Sequence, residues 1–258
     1  MKENKDYKNE ALAALKGHWP QAVLAFLVLE AIAMLAAVPY LRTAYVAEAS
    51  LAEGTVALKS LGLASLFLYL AVFLVVGPLV VGFLNAFKRL FAGEGDITRN
   101  MFKIGFGNWW HHVAGFFLKY LFIGLWSLLL WIPGIIKAFS YAMTEYILVD
   151  YPDLSANKAI DLSRAMMKDR KFDLFYLYLS FIGWVLLGIL TLGIGLLWVY
   201  PYIEAAQAAF YQDVKADYFR RREMGNAEAA PAPAAPAPAE ETPQPVRREE
   251  NPEDYMPK

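Results

Sequence analysis

Two glutamates in apolar surroundings carry most of the chemistry that this sequence offers. Glu145 and Glu204 lie 59 residues apart, and each follows a tyrosine, Tyr141 or Tyr200, by about one helical turn. Two carboxylates that converge inside a helical protein could bind a cation or relay protons, with the tyrosines as hydrogen-bond donors. They could equally line a polar seam between helices, or reach a membrane interface. The sequence alone does not decide between a cation site, a proton relay, a polar seam and an interfacial position.

A third glutamate, Glu30, lies midway along an apolar run. A carboxylate at that depth is costly in hydrocarbon and needs a partner, and the candidate partners are Lys119 and Lys137. The alternatives are a structural ion pair or a protonated carboxyl that bonds between helices. Both lysines could instead extend towards an interface and keep their ammonium groups hydrated, which we favour for Lys137.

The glutamates belong to two segments that look like copies of each other. Phe122-Ile123-Gly124 precedes Gly134-Ile135 with the same spacing by which Phe181-Ile182-Gly183 precedes Gly193-Ile194. The sequence therefore predicts an internal repeat of two helical hairpins. If both hairpins start from the same side of a membrane, the repeat is parallel rather than inverted.

The composition requires an apolar environment for much of the chain. Hydrophobic residues make up 58% of it, against about 45–50% in soluble domains. Ser60–Phe87 and Leu174–Ile203 carry no charged residue, and each exceeds the ~20 apolar residues that cross a bilayer. The net charge of −1 indicates no nucleic-acid partner, and the absence of cysteine excludes disulfides and thiolate chemistry.

We predict an all-α, polytopic membrane protein with about six transmembrane helices arranged as three in-out-in hairpins, with amphipathic connector helices and a disordered C-terminal tail. The predicted spans are Pro20–Leu41, Leu61–Phe87, Val113–Trp131, Ile135–Val149, Phe172–Thr191 and Gly195–Tyr211. Turns are expected at Pro133-Gly134 and Leu192-Gly193, and residues 87–107 form a glycine-containing loop. The fourth span is short, because fifteen residues reach only ~22 Å across a ~30 Å core.

Charge sets the expected orientation. Seventeen lysines and arginines fall in the segments that six spans would leave on one side, and two fall in residues 42–60 on the other. Positive residues accumulate on the cytoplasmic side, so we expect a multi-pass protein of the cytoplasmic (inner) membrane with both termini in the cytoplasm. Residues 1–18 are too long and too acidic for the start of a signal peptide, and we read the apolar run after them as a span.

Four regions follow from this reading. Residues 1–19 are a cytoplasmic amphipathic helix, 20–212 the helical membrane domain, 213–224 a cytoplasmic helical extension, and 225–258 a disordered tail rich in Ala, Pro and Glu. A connector, Ser155–Lys171, joins the two late hairpins and is expected to lie on the inner leaflet and attract anionic headgroups. Its basic residues are Lys158, Arg164, Lys168, Arg170 and Lys171. The connector serves either as an ordinary topology anchor or as a specific lipid or protein dock, and the tail is a second possible dock.

Several short motifs carry a family resemblance. They include Ile132-Pro-Gly-Ile-Ile-Lys137, Tyr141-x-Met143, Ala159-Ile-x-x-Ser163, Met166-Met167, Leu179-Ser-Phe-Ile-Gly-Trp184, Leu190-Thr-Leu-Gly-Ile-Gly195, Pro201-Tyr202 and Ala209-Phe-Tyr211. Over roughly residues 8–213 the chain resembles the bacterial multi-pass membrane family called domain of unknown function 975. The resemblance implies a membrane protein and carries over no catalytic residue. Asp169 departs from the family pattern, which usually has glycine there.

The sequence offers no pattern for an enzyme, a cofactor or a metal. His111 and His112 are adjacent, so they point about 100° apart on a helix, and His18 is the only other histidine. The glycines of residues 87–107 form no complete nucleotide-binding motif. We therefore expect a non-enzymatic membrane scaffold or regulatory protein of unknown oligomeric state, with a transporter or small channel that uses Glu145 and Glu204 as the alternative. An intramembrane enzyme is a third and weaker hypothesis.

Overall fold

The computed structural model describes residues 2–52 and 58–229, with side chains for 2–35 and 74–224. Residues 1–218 form one compact unit and 219–258 a second. Residues 230–258, which are most of the predicted tail, lie outside the described residues. The described chain contains these helices: α1 Asn4–Leu15, α2 Trp19–Ala52, α3 Leu58–Leu90, α4 Ile97–Gly107, α5 Trp109–Leu129, α6 Trp131–Ser140, α7 Thr144–Asp150, α8 Ala156–Met166, α9 Lys171–Leu179, α10 Ile182–Leu190 and α11 Leu196–Ala229.

The N-terminal helix α1 is shorter than the predicted region 1–19, because a turn at residues 16–18 ends it. Gly17 has a φ of 85°, a left-handed conformation that glycine adopts without strain, and α1 meets α2 at a bend of 98°. Glu3 is the N-cap of α1, and Asp6 accepts a hydrogen bond from the Glu3 N–H at 2.8 Å. Its buried stripe is Tyr7, Ala11 and Leu15.

Helix α4 corrects the prediction of a loop over residues 87–107. Asp96 caps α4 by accepting a hydrogen bond from the Arg99 N–H at 3.1 Å, and α4 packs directly on α3. Two glycines permit this approach, since a Cβ on Gly82 would lie 2.0 Å from the Met101 carbonyl oxygen and one on Gly105 would lie 2.6 Å from that of Pro78. Gly105, one of the glycines that suggested a loop, thus belongs to a helix–helix contact.

Two of the described helical segments are long and apolar enough to cross a membrane, Trp109–Leu129 and Lys171–Leu190. A third is obtained if α1 and residues 19–35 of α2 count as one bent span. The prediction of six spans is not supported. The first two predicted spans fall on α2 and α3, whose side chains from 36 to 73 lie outside the description.

The predicted fourth span is wrong as a continuous helix. Residues 135–149 divide between α6 and α7, and a turn at residues 141–143 separates them. The preceding turn lies at Leu130, which is extended with a φ of −161°, so Pro133 and Gly134 fall in the first turns of α6. Every residue from Thr144 to Leu148 is buried, and α7 therefore belongs to the protein core rather than to a lipid-facing span.

The second hairpin bends at different places. A short break at residues 180–181 separates α9 from α10. The turn into α11 lies where the sequence predicts it, with Leu192 at a φ of 55° and Gly193 at 87°. Helix α11 runs unbroken past Tyr200 and Glu204. The two hairpins therefore share a sequence spacing but not a pattern of helix breaks.

The connector helix α8 is packed inside the protein on its apolar side. Ala159, Ile160, Ser163 and Met166 are buried, and α8 contacts α5 and α7. Protein therefore already covers this apolar face, and the position of the connector on the inner leaflet stays a prediction. Ser155 caps the helix by accepting a hydrogen bond from the Lys158 N–H.

Candidate functional site

A buried ion pair forms the centre of the candidate site. The Lys119 ammonium on α5 donates to Glu145 Oε1 on α7 at 2.5 Å. Glu145 is 1% exposed and Lys119 is 8% exposed. Ion pairs at this depth persist because removing either partner would leave an uncompensated charge in a medium of low polarity. Lys119 therefore pairs with Glu145, and the predictions that it pairs with Glu30 or extends to an interface are wrong.

Glu145 and Glu204 line the same cavity, which has a volume of about 390 Å³. It lies between α3, α5, α6, α7, α9 and α11. Its polar lining consists of Lys119, Tyr120, Glu145, Tyr178, Glu204 and Gln207, and apolar side chains of α3, α5 and α6 complete the wall. The structure thus brings together the two glutamates that the 59-residue spacing singled out.

The cavity contains more carboxylate than the protein's own groups satisfy. Glu145 Oε2 and Glu204 Oε2 are both shielded from solvent, and neither has a hydrogen-bond partner among the described residues. Lys119 is the one cation among the described residues of the lining, and it is already bonded to Glu145 Oε1. With both carboxyl groups ionised, the site carries one surplus negative charge.

The helix break before α7 sets the direction of Glu145. Ser163 on α8 spans that break, because its hydroxyl accepts from the Met143 N–H at 3.1 Å and donates to the Ser140 carbonyl at 2.9 Å. Both backbone groups would otherwise be buried without partners. Ser163 is fully buried, so the connector helix holds the turn that aims α7 at the cavity.

Amide side chains fix the surrounding helices. The Asn85 side-chain N–H₂ of α3 donates to the Glu145 carbonyl and to the Val81 carbonyl, each at 2.9 Å. The Tyr178 hydroxyl of α9 donates to Gln207 Oε1 of α11 at 2.5 Å. These bonds tie α3 to α7 and α9 to α11, so the cavity is bounded by helices that are cross-linked to one another.

The other predicted site residues lie elsewhere. Glu30 is exposed on α2 and makes no ion pair among the described residues. Lys137 lies over the Trp126 ring at 4.4 Å from its centroid. Tyr141 is buried, whereas Tyr200 is 42% exposed and stacks on Phe26 with centroids 5.1 Å apart. Neither tyrosine lines the cavity, so the repeat does not give them equivalent surroundings.

Arg170 does not belong to the exposed basic surface of the connector, contrary to the prediction. It is 6% exposed, and its guanidinium donates a hydrogen bond to Asp213 at 2.8 Å and forms an ion pair with Asp173 at 2.9 Å. The Tyr7 hydroxyl donates to the same Asp213 oxygen at 2.7 Å. Arg170 therefore joins α1, α9 and α11 and is unavailable to a membrane surface. Lys158, Arg164 and Lys168 are exposed, and Lys171 is half-buried.

A second ionic cluster surrounds Asp150, at the end of α7. The carboxyl group accepts from Lys88, from Lys215 at 2.6 Å and from the Tyr211 hydroxyl at 2.7 Å. Burial alone would raise the pKa of Asp150, but the charge of Lys88 and these hydrogen bonds outweigh it and hold the pKa below its usual value. The cluster ties α3, α7 and α11 together.

Sequence reasoning missed Tyr120, Tyr178, Gln207 and Asn85. Gln207 had a usable signal, since it lies three residues after Glu204 and therefore on the same helix face. Asn85 had another, as a polar residue within the charge-free stretch before Lys88. Tyr120 and Tyr178 had none, because the chain contains many tyrosines and their positions depend on how the helices cross.

A wider apolar groove of about 750 Å³ runs along α5, and it is lined by residues that include Phe117, Leu121 and Trp131. Several side chains on this side are strongly exposed, with Leu128 at 84%. Its chemistry is that of a surface for lipid tails, and no Asp, Glu, Lys, Arg or His stands among its described lining residues. Tyr120 lines both this groove and the polar cavity.

Comparison with known proteins gives one family and no closer relative. No curated protein and no solved structure matches the chain. The family model described as a protein of unknown function (DUF975) matches residues 128–218, a range that includes Glu145, Ser163 and Glu204 but not Lys119. This match confirms the resemblance to the DUF975 family over residues 128–218.

Proposed function

We propose that this chain is a multi-pass protein of the cytoplasmic membrane, with both termini in the cytoplasm, that acts as a non-enzymatic scaffold or regulatory protein. The long apolar helices, including α5 with its exposed leucines, support the membrane setting. The excess of basic residues in the segments assigned to the cytoplasm supports the orientation. Further spans beyond α5 and α9–α10 would have to come from α2, α3 and the start of α11.

The scaffold proposal rests on one observation: α8 buries its apolar side in the protein and exposes its basic side. Its apolar side is packed against α5 and α7, which fixes the helix to the body of the protein. Lys158 and Arg164 remain exposed on the other side, and Lys168 is exposed in the turn that follows the helix. A rigid helix that presents cations is suited to an acidic protein surface or to anionic headgroups.

The test removes charge from this surface without touching its packing. Lys158→Gln/Lys168→Gln is compared with wild type after extraction into native lipid nanodiscs, and co-purifying proteins are quantified by mass spectrometry. We expect at least one stoichiometric partner to be lost from the variant. Both side chains are exposed, so folding should be unaffected.

A matched control removes two equally exposed charges elsewhere. Arg220→Gln/Arg222→Gln takes the same charge from the exposed end of α11 and should leave the partner list unchanged. A partner list that is identical in wild type and in the Lys158/Lys168 variant would refute the scaffold proposal. Equal losses in both variants would reduce the effect to non-specific attraction between charges.

A transporter or small channel is the second candidate, and the shared cavity of Glu145 and Glu204 is the observation in its favour. A pathway through the protein would need such a polar site among apolar helices. Reconstituted vesicles should then show cation or proton flux that falls in Glu204→Gln. Absence of flux for protons, alkali cations and small organic cations would remove this candidate.

A further inference from the structure

We infer that the cavity between Glu145 and Glu204 is a binding site for one organic ammonium group. This inference is independent of the scaffold proposal, since it concerns a ligand inside the helical body and not a partner at α8. It rests on three features of the described residues: the unmatched carboxylate oxygens, the size of the cavity and the aromatic rings in its wall.

The first feature is charge. Glu145 is 1% exposed, and its Oε2 oxygen has no partner among the described residues although Oε1 is bonded to Lys119. Glu204 Oε2 is likewise without a partner there. A buried carboxylate oxygen normally accepts hydrogen bonds, and a surplus charge needs a counter-charge. One monovalent cation with N–H donors would meet both requirements.

Three of the donors around the cavity already have acceptors. Lys119 donates to Glu145 Oε1, and the Tyr178 hydroxyl donates to Gln207. The Asn85 amide donates to two backbone carbonyls. Lys119 and Tyr178 could turn to the free carboxylate oxygens only by giving up a bond between helices.

The second feature is size. A water molecule occupies about 30 Å³, whereas the cavity has a volume of about 390 Å³. A bare monovalent ion would fill a small part of this space and leave the apolar wall uncovered. An ammonium group with several carbon atoms fills it better, because Val80, Leu84 and Ile123 can pack against its hydrocarbon part.

The third feature is the aromatic wall. Tyr120, Phe139 and Tyr178 line the cavity, and the Lys119 ammonium already lies 5.5 Å from the Tyr120 ring centroid. Aromatic faces attract organic cations, and the attraction is strongest where water is excluded. Carboxylates and aromatic rings together therefore favour an alkylammonium over a neutral molecule of the same shape.

The test uses two probes of matched size, cyclohexylammonium and cyclohexanol, titrated into the full-length protein in nanodiscs by isothermal calorimetry. We expect cyclohexylammonium to bind wild type at least tenfold more tightly than cyclohexanol, which corresponds to ~1.4 kcal/mol. Glu204→Gln should weaken cyclohexylammonium binding at least tenfold and leave cyclohexanol unchanged. Glu223→Gln makes the same change at an exposed position of α11 and should bind as wild type does.

Three outcomes would overturn the inference. Wild type could fail to discriminate between the two probes, which needs no variant and stands even if Glu204→Gln does not fold. Glu204→Gln could bind the ammonium as tightly as wild type, which would place binding outside the cavity. Glu204→Gln and Glu223→Gln could weaken binding equally, which would reduce the effect to general surface charge.

Discussion

Replacing Lys119 by methionine should destabilise this protein more than any single substitution of a glutamate in the same cavity. The pair is short and buried, with Lys119 Nζ 2.5 Å from Glu145 Oε1 and side-chain exposures of 10% and 1%. Methionine keeps the length and the apolar stem of lysine, so the substitution removes the charge and little volume.

The charged groups that line the cavity explain why Lys119→Met should destabilise the protein more than Glu145→Gln. Breaking a buried ion pair by removing one partner costs about 3–5 kcal/mol. Lys119→Met leaves Glu145 and Glu204 facing one cavity without any cation, so it belongs at or above the top of that range. Glu145→Gln leaves Lys119 with Glu204 as a substitute counter-ion, so it should cost less, about 1–3 kcal/mol for one charged hydrogen bond.

The assay is equilibrium unfolding in mixed micelles, followed by tryptophan fluorescence, for wild type, Lys119→Met, Glu145→Gln and the double variant. The double variant should be more stable than Lys119→Met, because it removes one of the two uncompensated carboxylates. The reasoning fails if Lys119→Met is milder than Glu145→Gln. It also fails if the effects of the two substitutions add without coupling.

Three further predictions concern other described contacts. Ser163→Ala should lower the free energy of unfolding by about 2–4 kcal/mol, because it leaves the Met143 N–H and the Ser140 carbonyl buried and unpaired. Ser163→Thr, which keeps the hydroxyl, is the comparison. A loss below ~1 kcal/mol in Ser163→Ala would count against the role of Ser163. The pKa of Asp150 is depressed in the folded state. The stabilisation from this carboxylate is therefore present above its unfolded pKa and is lost as the pH falls through its folded pKa. The difference in unfolding free energy between wild type and Asp150→Asn should shrink at acidic pH, and a pH-independent difference would refute this. Asp169 has a φ of 67°, so Asp169→Val should cost about 1–2 kcal/mol while Asp169→Gly is tolerated, as thermal unfolding would show.

The sequence could predict the helical class and much of the helix placement, since both depend on local composition. Predicted spans three and five overlap closely with α5 and with α9–α10. The number of spans could not be predicted this way, because hydropathy does not say what covers an apolar helix. Residues 144–148 lie in a predicted span but are buried within the protein.

The site shows the same division between local and tertiary information. Spacing pointed to Glu145 and Glu204, and they do share a cavity. Spacing also pointed to Tyr141 and Tyr200, which lie in different environments. The partner of Glu145 is 26 residues away on another helix, and only the crossing of α5 over α7 decides that Lys119 reaches it. Periodicity along one helix contains no information on that crossing.

Asp169 shows where a resemblance and the backbone agree. The family usually has glycine at this position, and the structure gives it a left-handed φ of 67°, which glycine adopts freely and aspartate tolerates better than most residues. The departure in sequence therefore does not change the turn. It replaces a relaxed residue by a mildly strained one immediately before Arg170, whose guanidinium holds α1 and α11.

The connector helix α8 lies between the basic surface and the cavity, and Ser163 connects it to the turn before α7. Its exposed side carries Lys158, with Lys168 in the turn that follows, and its buried side carries Ser163, which holds both ends of the break before α7. A displacement of α8 would have to break those two hydrogen bonds, and α7 carries Glu145 only a few residues further on. Whatever binds at the basic surface thus acts on a helix whose position helps to fix the Lys119–Glu145 pair. Measuring ammonium binding in Ser163→Ala would show how strongly the two are coupled, because that variant keeps every charge of both sites.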